Sequence, residues 1–70
     1  MSVDIDARGL QCPWPALRLA RIMRRQSRAT IVADDPVAPK EIAALAEERG
    51  WNIGAIETEI GNGFAISRNN

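Results

Sequence analysis

The sequence predicts one small domain that mixes helices and strands in the order β-α-β-α-β-β. Val3 and Ile5 alternate with polar residues, which is typical of a strand with one buried face. From Pro13 the apolar residues recur at helical spacing, and residues 29–33 form the unbroken apolar and β-branched run of a buried strand. Because a helix of about a dozen residues joins these two strands, we expect them to pair in parallel within a right-handed βαβ unit.

The composition fits a single soluble domain and excludes several kinds of chemistry. The 70 residues are 46% hydrophobic and 26% charged, which is enough for a small core and argues against disorder. Nine basic and nine acidic side chains cancel, so the chain as a whole offers no electrostatic case for direct contact with nucleic acid. With one cysteine and no histidine, an internal disulfide, a cysteine–histidine zinc site and histidine-assisted catalysis are excluded. We therefore expect neither a metal nor a cofactor.

No apolar run is long enough to cross a bilayer, and residues 1–4 lack a basic stretch followed by an apolar one. We therefore expect a cytoplasmic protein without membrane contact. With no disulfide or metal to support the fold, the domain must be stabilised by packing alone. We expect it to act as a monomer.

The only cysteine lies just before the first predicted helix. Pro13 has a helical φ and no N–H, so it suits the first helical position, and Pro15 marks the same turn. Since free amides at a helix N-terminus favour an anion, a thiolate at Cys12 is expected to form readily. Gly9 can adopt the positive φ that turns the loop toward the helix. The alternative is that Cys12 is a small buried apolar residue.

The first helix is expected to run to about Arg25. Its predicted buried face consists of four apolar residues, which are Ala16, Leu19, Ala20 and Met23. Trp14 is expected to pack in the core. Most arginines of this helix are interpreted as a solvated face, whereas Arg18 and Arg21, joined by Arg8 from the loop, could form a docking patch for an acidic partner.

A polar loop follows the predicted buried strand. Because the carboxyl ends of parallel strands meet at one edge of a sheet, this loop and the Cys12 loop should open at the same end. Asp35 is expected to cap the second helix, with Pro36 in its first turn. The alternative is that Asp34 and Asp35 bind a cation or handle a proton near Cys12, although two anions there would raise the pKa of the thiol.

The second half of the chain predicts a helix and a β-hairpin. The helix should end at Gly50, and its predicted buried residues are Ile42, Ala43, Leu45 and Ala46. A third strand is predicted from the alternation of Ile56, Thr58 and Ile60 with polar or small residues. Residues 61–63 are expected to form the hairpin turn, because Gly-Asn-Gly tolerates positive φ. Phe64 and Ile66 should give a last strand that faces the core, followed by a polar end at residues 67–70.

Two motifs stand at the starts of the two predicted helices. The first is Leu10-Gln11-Cys12-Pro13-Trp14-Pro15, and the second is Asp34-Asp35-Pro36. With the order of the elements, they resemble the TusA/SirA-like family of small sulfur-carrier proteins, and the likeness covers nearly all of residues 1–70 as a single domain. The resemblance implies an α+β two-layer sandwich, in which two helices cover one face of a four-stranded mixed sheet.

The resemblance also implies a function for Cys12, which would accept a sulfane sulfur as a persulfide and pass it on as a sulfurtransferase. The sulfur donor would be a cysteine desulfurase or a rhodanese-type protein, and the acceptor another protein. Gly9, Leu10, Pro13 and Pro15 would shape the loop and the helix start around the thiol. A lone cysteine suits such a carrier, because no second thiol can close an internal disulfide before the sulfur is transferred. Transfer RNA thiolation, sulfur oxidation and cofactor assembly all remain open as pathways.

The chain departs from this family at two positions. Residues 26–28 lack the glycine that often follows the first helix, and Glu41 stands where aspartate is common. Both departures are interpreted as structural. Two other functions stay open: a regulatory or binding module that docks a partner through the arginine-bearing face of the first helix, and a redox sensor that forms an intermolecular disulfide.

Overall fold

The computed structural model describes residues 3–68. The elements follow the predicted order, with bounds β1 (Ile5–Ala7), α1 (Trp14–Ile22), β2 (Arg28–Ala33), α2 (Ala38–Arg49), β3 (Asn52–Thr58) and β4 (Gly61–Ser67). The expectations about residues 1 and 2, and about the polar end beyond Arg68, lie outside the described residues. In the part that is described, no helix is long and apolar enough to cross a membrane.

The four strands form one mixed sheet in the order β1-β2-β4-β3. β1 pairs in parallel with β2, which confirms the predicted βαβ unit, and Ile5 lies opposite Ile31. β4 runs antiparallel to both β2 and β3. Since the residues of each pair point to the same face, this register places Ile5, Ile31 and Phe64 together on one apolar face of the sheet. Val32 and Ile56 lie on the opposite face.

Both helices cover that apolar face, which confirms the two-layer α+β sandwich. Leu19 of α1 and Ile42 of α2 pack with Ile5, Ile31 and Ile66 of the sheet in one buried cluster. Burial of each such side chain contributes about 1.5–3 kcal/mol. No polar or charged side chain is buried among residues 3–68, so apolar packing alone forms this core.

α1 presents a different face to the core from the one predicted at its start. Pro15, Leu19 and Met23, spaced four residues apart, are buried, whereas Trp14 is 59% exposed. The prediction that Trp14 packs in the core is therefore wrong. One residue corresponds to a rotation of about 100° around a helix, so Trp14 and Pro15 face different surroundings.

Both ends of α1 also differ from the prediction. Pro13 is the N-cap residue, with φ −98° and ψ 11°, and the helix itself begins at Trp14. It ends at Ile22, three residues before the predicted end, because the amides of Arg24 and Arg25 donate to the carbonyls three residues back, at 3.3 and 2.9 Å. This tighter pattern is typical of a helix that is closing.

α2 confirms most of its prediction. Ile42 and Ala46 are buried, and Gly50 ends the helix in the left-handed conformation, with φ 72°. Ala43 is exposed, contrary to the prediction. The buried positions recur every four residues from Ala38, and Ala43 falls outside that row.

The hairpin turn lies earlier than predicted. Thr58 pairs with Gly61, so Glu59 and Ile60 form a two-residue loop, and Gly61-Asn62-Gly63 belongs to β4. Of these three, only Gly61 has a positive φ, at 136°. The Thr58 hydroxyl closes the turn, because it donates to the Gly61 carbonyl at 2.6 Å and accepts from the Ile60 amide at 3.2 Å.

Gly63 is required by close packing between strands. A Cβ atom at this position would lie 2.9 Å from Val32 Cγ2 and nearer still to the Ile31 carbonyl oxygen. A backbone oxygen in a paired central strand cannot move aside without disturbing the ladder. Gly54 on the neighbouring strand has open space around the same position.

Gly63→Ala is therefore expected to destabilise the domain by about 1–3 kcal/mol, since overpacking forces the strands apart. Urea unfolding followed by circular dichroism measures the change. Gly54→Ala, in the same hairpin, is the matched control and should be neutral or slightly stabilising. Equal stabilities of the two variants would contradict the proposed steric role of Gly63.

Candidate functional site

The loop after β1 turns sharply toward α1. Gly9 has φ 81°, as predicted, and the Leu10 amide donates to the Ala7 carbonyl at 3.2 Å. Leu10 is partly buried and packs against the core cluster. The turn and this contact carry the chain from the end of β1 to Cys12, which is half-buried and has a free thiol.

Two carboxylates of the second loop hold the backbone of the first. Asp34 Oδ1 accepts a hydrogen bond from the Gly9 amide at 2.9 Å, and Asp35 Oδ2 accepts one from the Cys12 amide at 3.2 Å. The parallel pairing of β1 and β2 makes these bonds possible, because it ends both strands at the same edge. We refer to Asp34 and Asp35 with these two amides as the carboxylate clamp.

The prediction that Asp35 caps α2 is wrong. Val37 is the N-cap residue and makes no side-chain hydrogen bond to the helix, while Pro39 occupies the first turn. Pro36 lies before the helix and not within it. The Asp35 side chain is already used by the Cys12 amide, so only its backbone carbonyl serves the helix start, where it accepts from the Ala38 amide at 3.0 Å.

The start of α1 offers few amides to an anion at Cys12. Pro13 and Pro15 have no N–H, and the Trp14 amide already donates to the Gln11 carbonyl at 2.9 Å. The Cys12–Pro13 peptide bond is cis. The prolines that mark the helix start thus remove the donors that would stabilise a thiolate there.

The structure raises the pKa of the Cys12 thiol above its usual range. The largest cause is burial, followed by the negative charge of Glu41, the hydrogen bond with the Glu41 side chain and the charge of Asp35. The prediction of a readily formed thiolate is therefore wrong for the free protein. The chain's own residues thus favour the protonated form of Cys12.

Glu41 is the site residue that sequence reasoning missed. It lies in the first turn of α2, at the end of the sheet where the two loops meet, and its carboxylate acts directly on the Cys12 thiol. In the sequence alone, this position stands out only as a departure from a family pattern. The available signal was that both helices start at the same sheet edge, which brings an acid in the first turn of one helix close to the start of the other.

The three arginines proposed for docking do not act as one group. Arg8 forms a two-pronged ion pair with Asp6, with Nε and Nη2 each 2.8 Å from a carboxylate oxygen. This partner lowers the pKa of Asp6 to about 2. Arg18 and Arg21 instead line a groove along the outer side of α1.

The alternative in which Asp34 and Asp35 bind a cation has no geometric support. No group of three or more cysteine or acidic side chains in residues 3–68 is arranged to hold a metal ion. The two carboxylates accept hydrogen bonds from backbone amides. These bonds hold the backbone of the Cys12 loop in its conformation.

The fold and the site together define a class: a small α+β domain that presents a single cysteine where two loops meet beside a proline-flanked helix. The model of the sulfurtransferase TusA family matches residues 3–67, and the chain belongs to this family. Its general role is to carry sulfur in relays between proteins.

A solved structure supports the fold. The crystal structure of a SirA-like protein from Desulfitobacterium hafniense is similar to this chain with a TM-score of 0.71, and the match covers 90% of each chain. The two sequences are 22% identical over this match, so the likeness shows a shared architecture.

Asp35→Ala is expected to cost about 1 kcal/mol of stability, because it leaves the Cys12 amide without its acceptor. Amide hydrogen exchange at Cys12 should accelerate, which locates the loss in the loop. Asp35→Asn is the matched control, since its carbonyl oxygen can still accept this bond. If the alanine variant exchanged as slowly as the asparagine variant, the clamp would not hold this amide.

Glu41→Gln is expected to lower the pKa of Cys12, because it removes a negative charge and the carboxylate acceptor that favours the protonated thiol. Iodoacetamide should then label Cys12 faster at neutral pH, and the alkylation profile should shift toward lower pH. Glu48→Gln removes the same charge about two turns further along α2 and should leave the profile unchanged. An identical profile for all three proteins would show that Glu41 does not control the thiol.

Proposed function

We propose that this chain is a sulfur carrier in which Cys12 accepts a sulfane sulfur as a persulfide and transfers it to an acceptor protein. The observation that carries the proposal is a free, half-exposed thiol that two loops hold in place, in a chain of the TusA family. A thiol that exchanges sulfur with other proteins must be accessible, and the backbone that carries it must be held in a defined position. Gly9, Leu10, Pro13 and Pro15 shape its surroundings.

The loading step conserves atoms and electrons. The Cys12 sulfur attacks the outer sulfur of the donor's persulfide, so a new S–S bond forms on Cys12 and the donor's S–S bond breaks. The Cys12 sulfur is oxidised and the donor's inner sulfur is reduced by the same amount. The proton released by Cys12 ends on the donor's leaving thiolate, and no external oxidant is needed.

The raised pKa of Cys12 makes this step selective. Because the thiolate is the nucleophile, a protonated thiol reacts slowly with small electrophiles and oxidants. A thiol of high pKa also gives a poor leaving group. Small thiols in solution therefore remove the transferred sulfur slowly once the persulfide has formed. Fast transfer in both directions then depends on what a partner protein adds at the site.

The proposed partners are a donor, either a cysteine desulfurase or a rhodanese-type protein, and an acceptor protein of the same relay. We place this exchange in the cytoplasm, with the chain acting as a monomeric single domain and without direct contact to nucleic acid. A second candidate function is a binding module in which Cys12 is structural. The groove with exposed Trp14 and Leu17 is the observation that favours it.

Incubation with a cysteine desulfurase and L-cysteine, or with a rhodanese and thiosulfate, is expected to add one sulfur atom to the protein. Intact mass spectrometry detects the added mass, which reductant should remove. Cys12→Ser should remain unmodified, because the attacking sulfur is absent. If no donor loads the protein while Cys12→Ser keeps full biological activity, the carrier proposal fails in favour of the binding module.

A further inference from the structure

A groove of about 610 Å³ runs along the outer side of α1. It lies between this helix and β1, which is an edge strand of the sheet. We call it the α1 groove. Six of the residues that line it come from α1 and the turn that follows, and these are Trp14, Leu17, Arg18, Arg21, Ile22 and Arg25.

The five of these residues that belong to α1 form one helical face, because they recur at intervals of three or four, and Arg25 follows in the turn after the helix. The face is separate from the buried row that contains Leu19. Trp14 is 59% exposed and Leu17 is 51% exposed, which leaves two large apolar side chains in water. Apolar surface of this kind, bordered by charges, is typical of a site where another protein binds.

Three arginines and two aspartates line the α1 groove, so its formal net charge is +1. Within residues 3–68, Arg18, Arg21 and Arg25 form no ion pair. The two carboxylates that also line the groove are engaged elsewhere: Asp4 accepts from the Thr30 amide at 2.9 Å, and Asp6 pairs with Arg8. The matching ligand therefore carries negative charge beside apolar groups.

We propose that the α1 groove binds a segment of a relay partner in which acidic side chains lie next to apolar ones. This inference rests on the proposed sulfur-carrier function. Trp14, at one end of the groove, is two residues from Cys12, so a segment bound along α1 holds its own protein beside the thiol. The arginines steer and align the acidic segment, and the apolar side chains give it buried contact area.

Two other occupants fit the groove less well. A second copy of this chain, bound through the same face by two-fold symmetry, brings arginines against arginines. A nucleic-acid backbone is bound by basic surface, whereas this groove exposes tryptophan and leucine and the chain carries no net charge. An acidic, apolar protein segment satisfies both the charge and the exposed apolar area.

The first test compares two kinds of sulfur donor. In the double variant Arg18→Glu with Arg21→Glu, the loading rate from cysteine desulfurase and L-cysteine should fall about tenfold or more, because steering is reversed. Loading from glutathione persulfide, which needs no docking, should be unchanged. The matched control is Arg24→Glu with Arg28→Glu, which makes the same charge change at exposed positions outside the groove. Thermal unfolding verifies that both variants fold.

Each result of this test has one meaning. Equal protein-donor rates for the groove variant and the control variant would overturn the proposal. A loss with both donors would also overturn it, because the arginines would then act on the thiol itself. If the unsubstituted protein takes sulfur from neither donor, the carrier function has failed, and the groove is judged by peptide binding alone.

The second test does not depend on sulfur transfer. The probe is a synthetic amphipathic helix with leucine on one face and glutamate on the other, and its counterpart carries glutamine in place of glutamate. Calorimetry should show that the glutamate peptide binds, that salt weakens it, and that the groove variant loses it about tenfold or more. Equal binding of the two peptides would overturn the proposal, as would a dimer of the unsubstituted protein that the groove variant abolishes.

Discussion

The hydrogen bonds from the amides of Gly9 and Cys12 to Asp34 and Asp35 determine where the thiol lies. They depend on the parallel pairing of β1 with β2, which ends both strands at one edge and places the second loop against the first. A loop that contains a glycine has many conformations open to it, and contacts to ordered neighbours reduce them to one. Through the carboxylate clamp, the parallel pairing of β1 with β2 therefore determines the position of the Cys12 sulfur.

The same arrangement sets the reactivity of the thiol. The carboxylates that come with the second loop and with α2 lie close to Cys12, and together with burial they favour its protonated form. An enzyme that had to attack unaided would need the opposite environment, with a cation or free amides near the sulfur. For a carrier, low reactivity in the free state protects the thiol and then its cargo. In the proposed function, binding of a partner supplies the energy that activates the sulfur, which makes the partner surface part of the chemistry.

The sequence predicted the fold well because its elements are locally encoded. Three signals each depend only on a few neighbouring residues. They are the alternation in β1, the β-branched run of β2 and the left-handed glycine after α2. Two failures at the site arise from contacts between elements that are distant in the sequence. Asp35 could serve the helix that follows it or the loop beside it, and only the three-dimensional distance decides between them. Glu41 acts on a residue 29 positions earlier, and no local pattern reports that contact.

Trp14 shows how a single wrong assignment hid an organised surface of α1. Assigned to the core, it leaves α1 with one apolar face and a scattered set of arginines. Exposed, as the structure has it, it joins Leu17 and the arginines in a second organised face. A nine-residue helix in such a small domain thus has two duties: Leu19 holds the fold, and the outer face is available to a partner. Because Cys12 lies two residues before this helix, a protein that aligned with the outer face would also align with the thiol, and the proposed docking and sulfur transfer would share one rigid element.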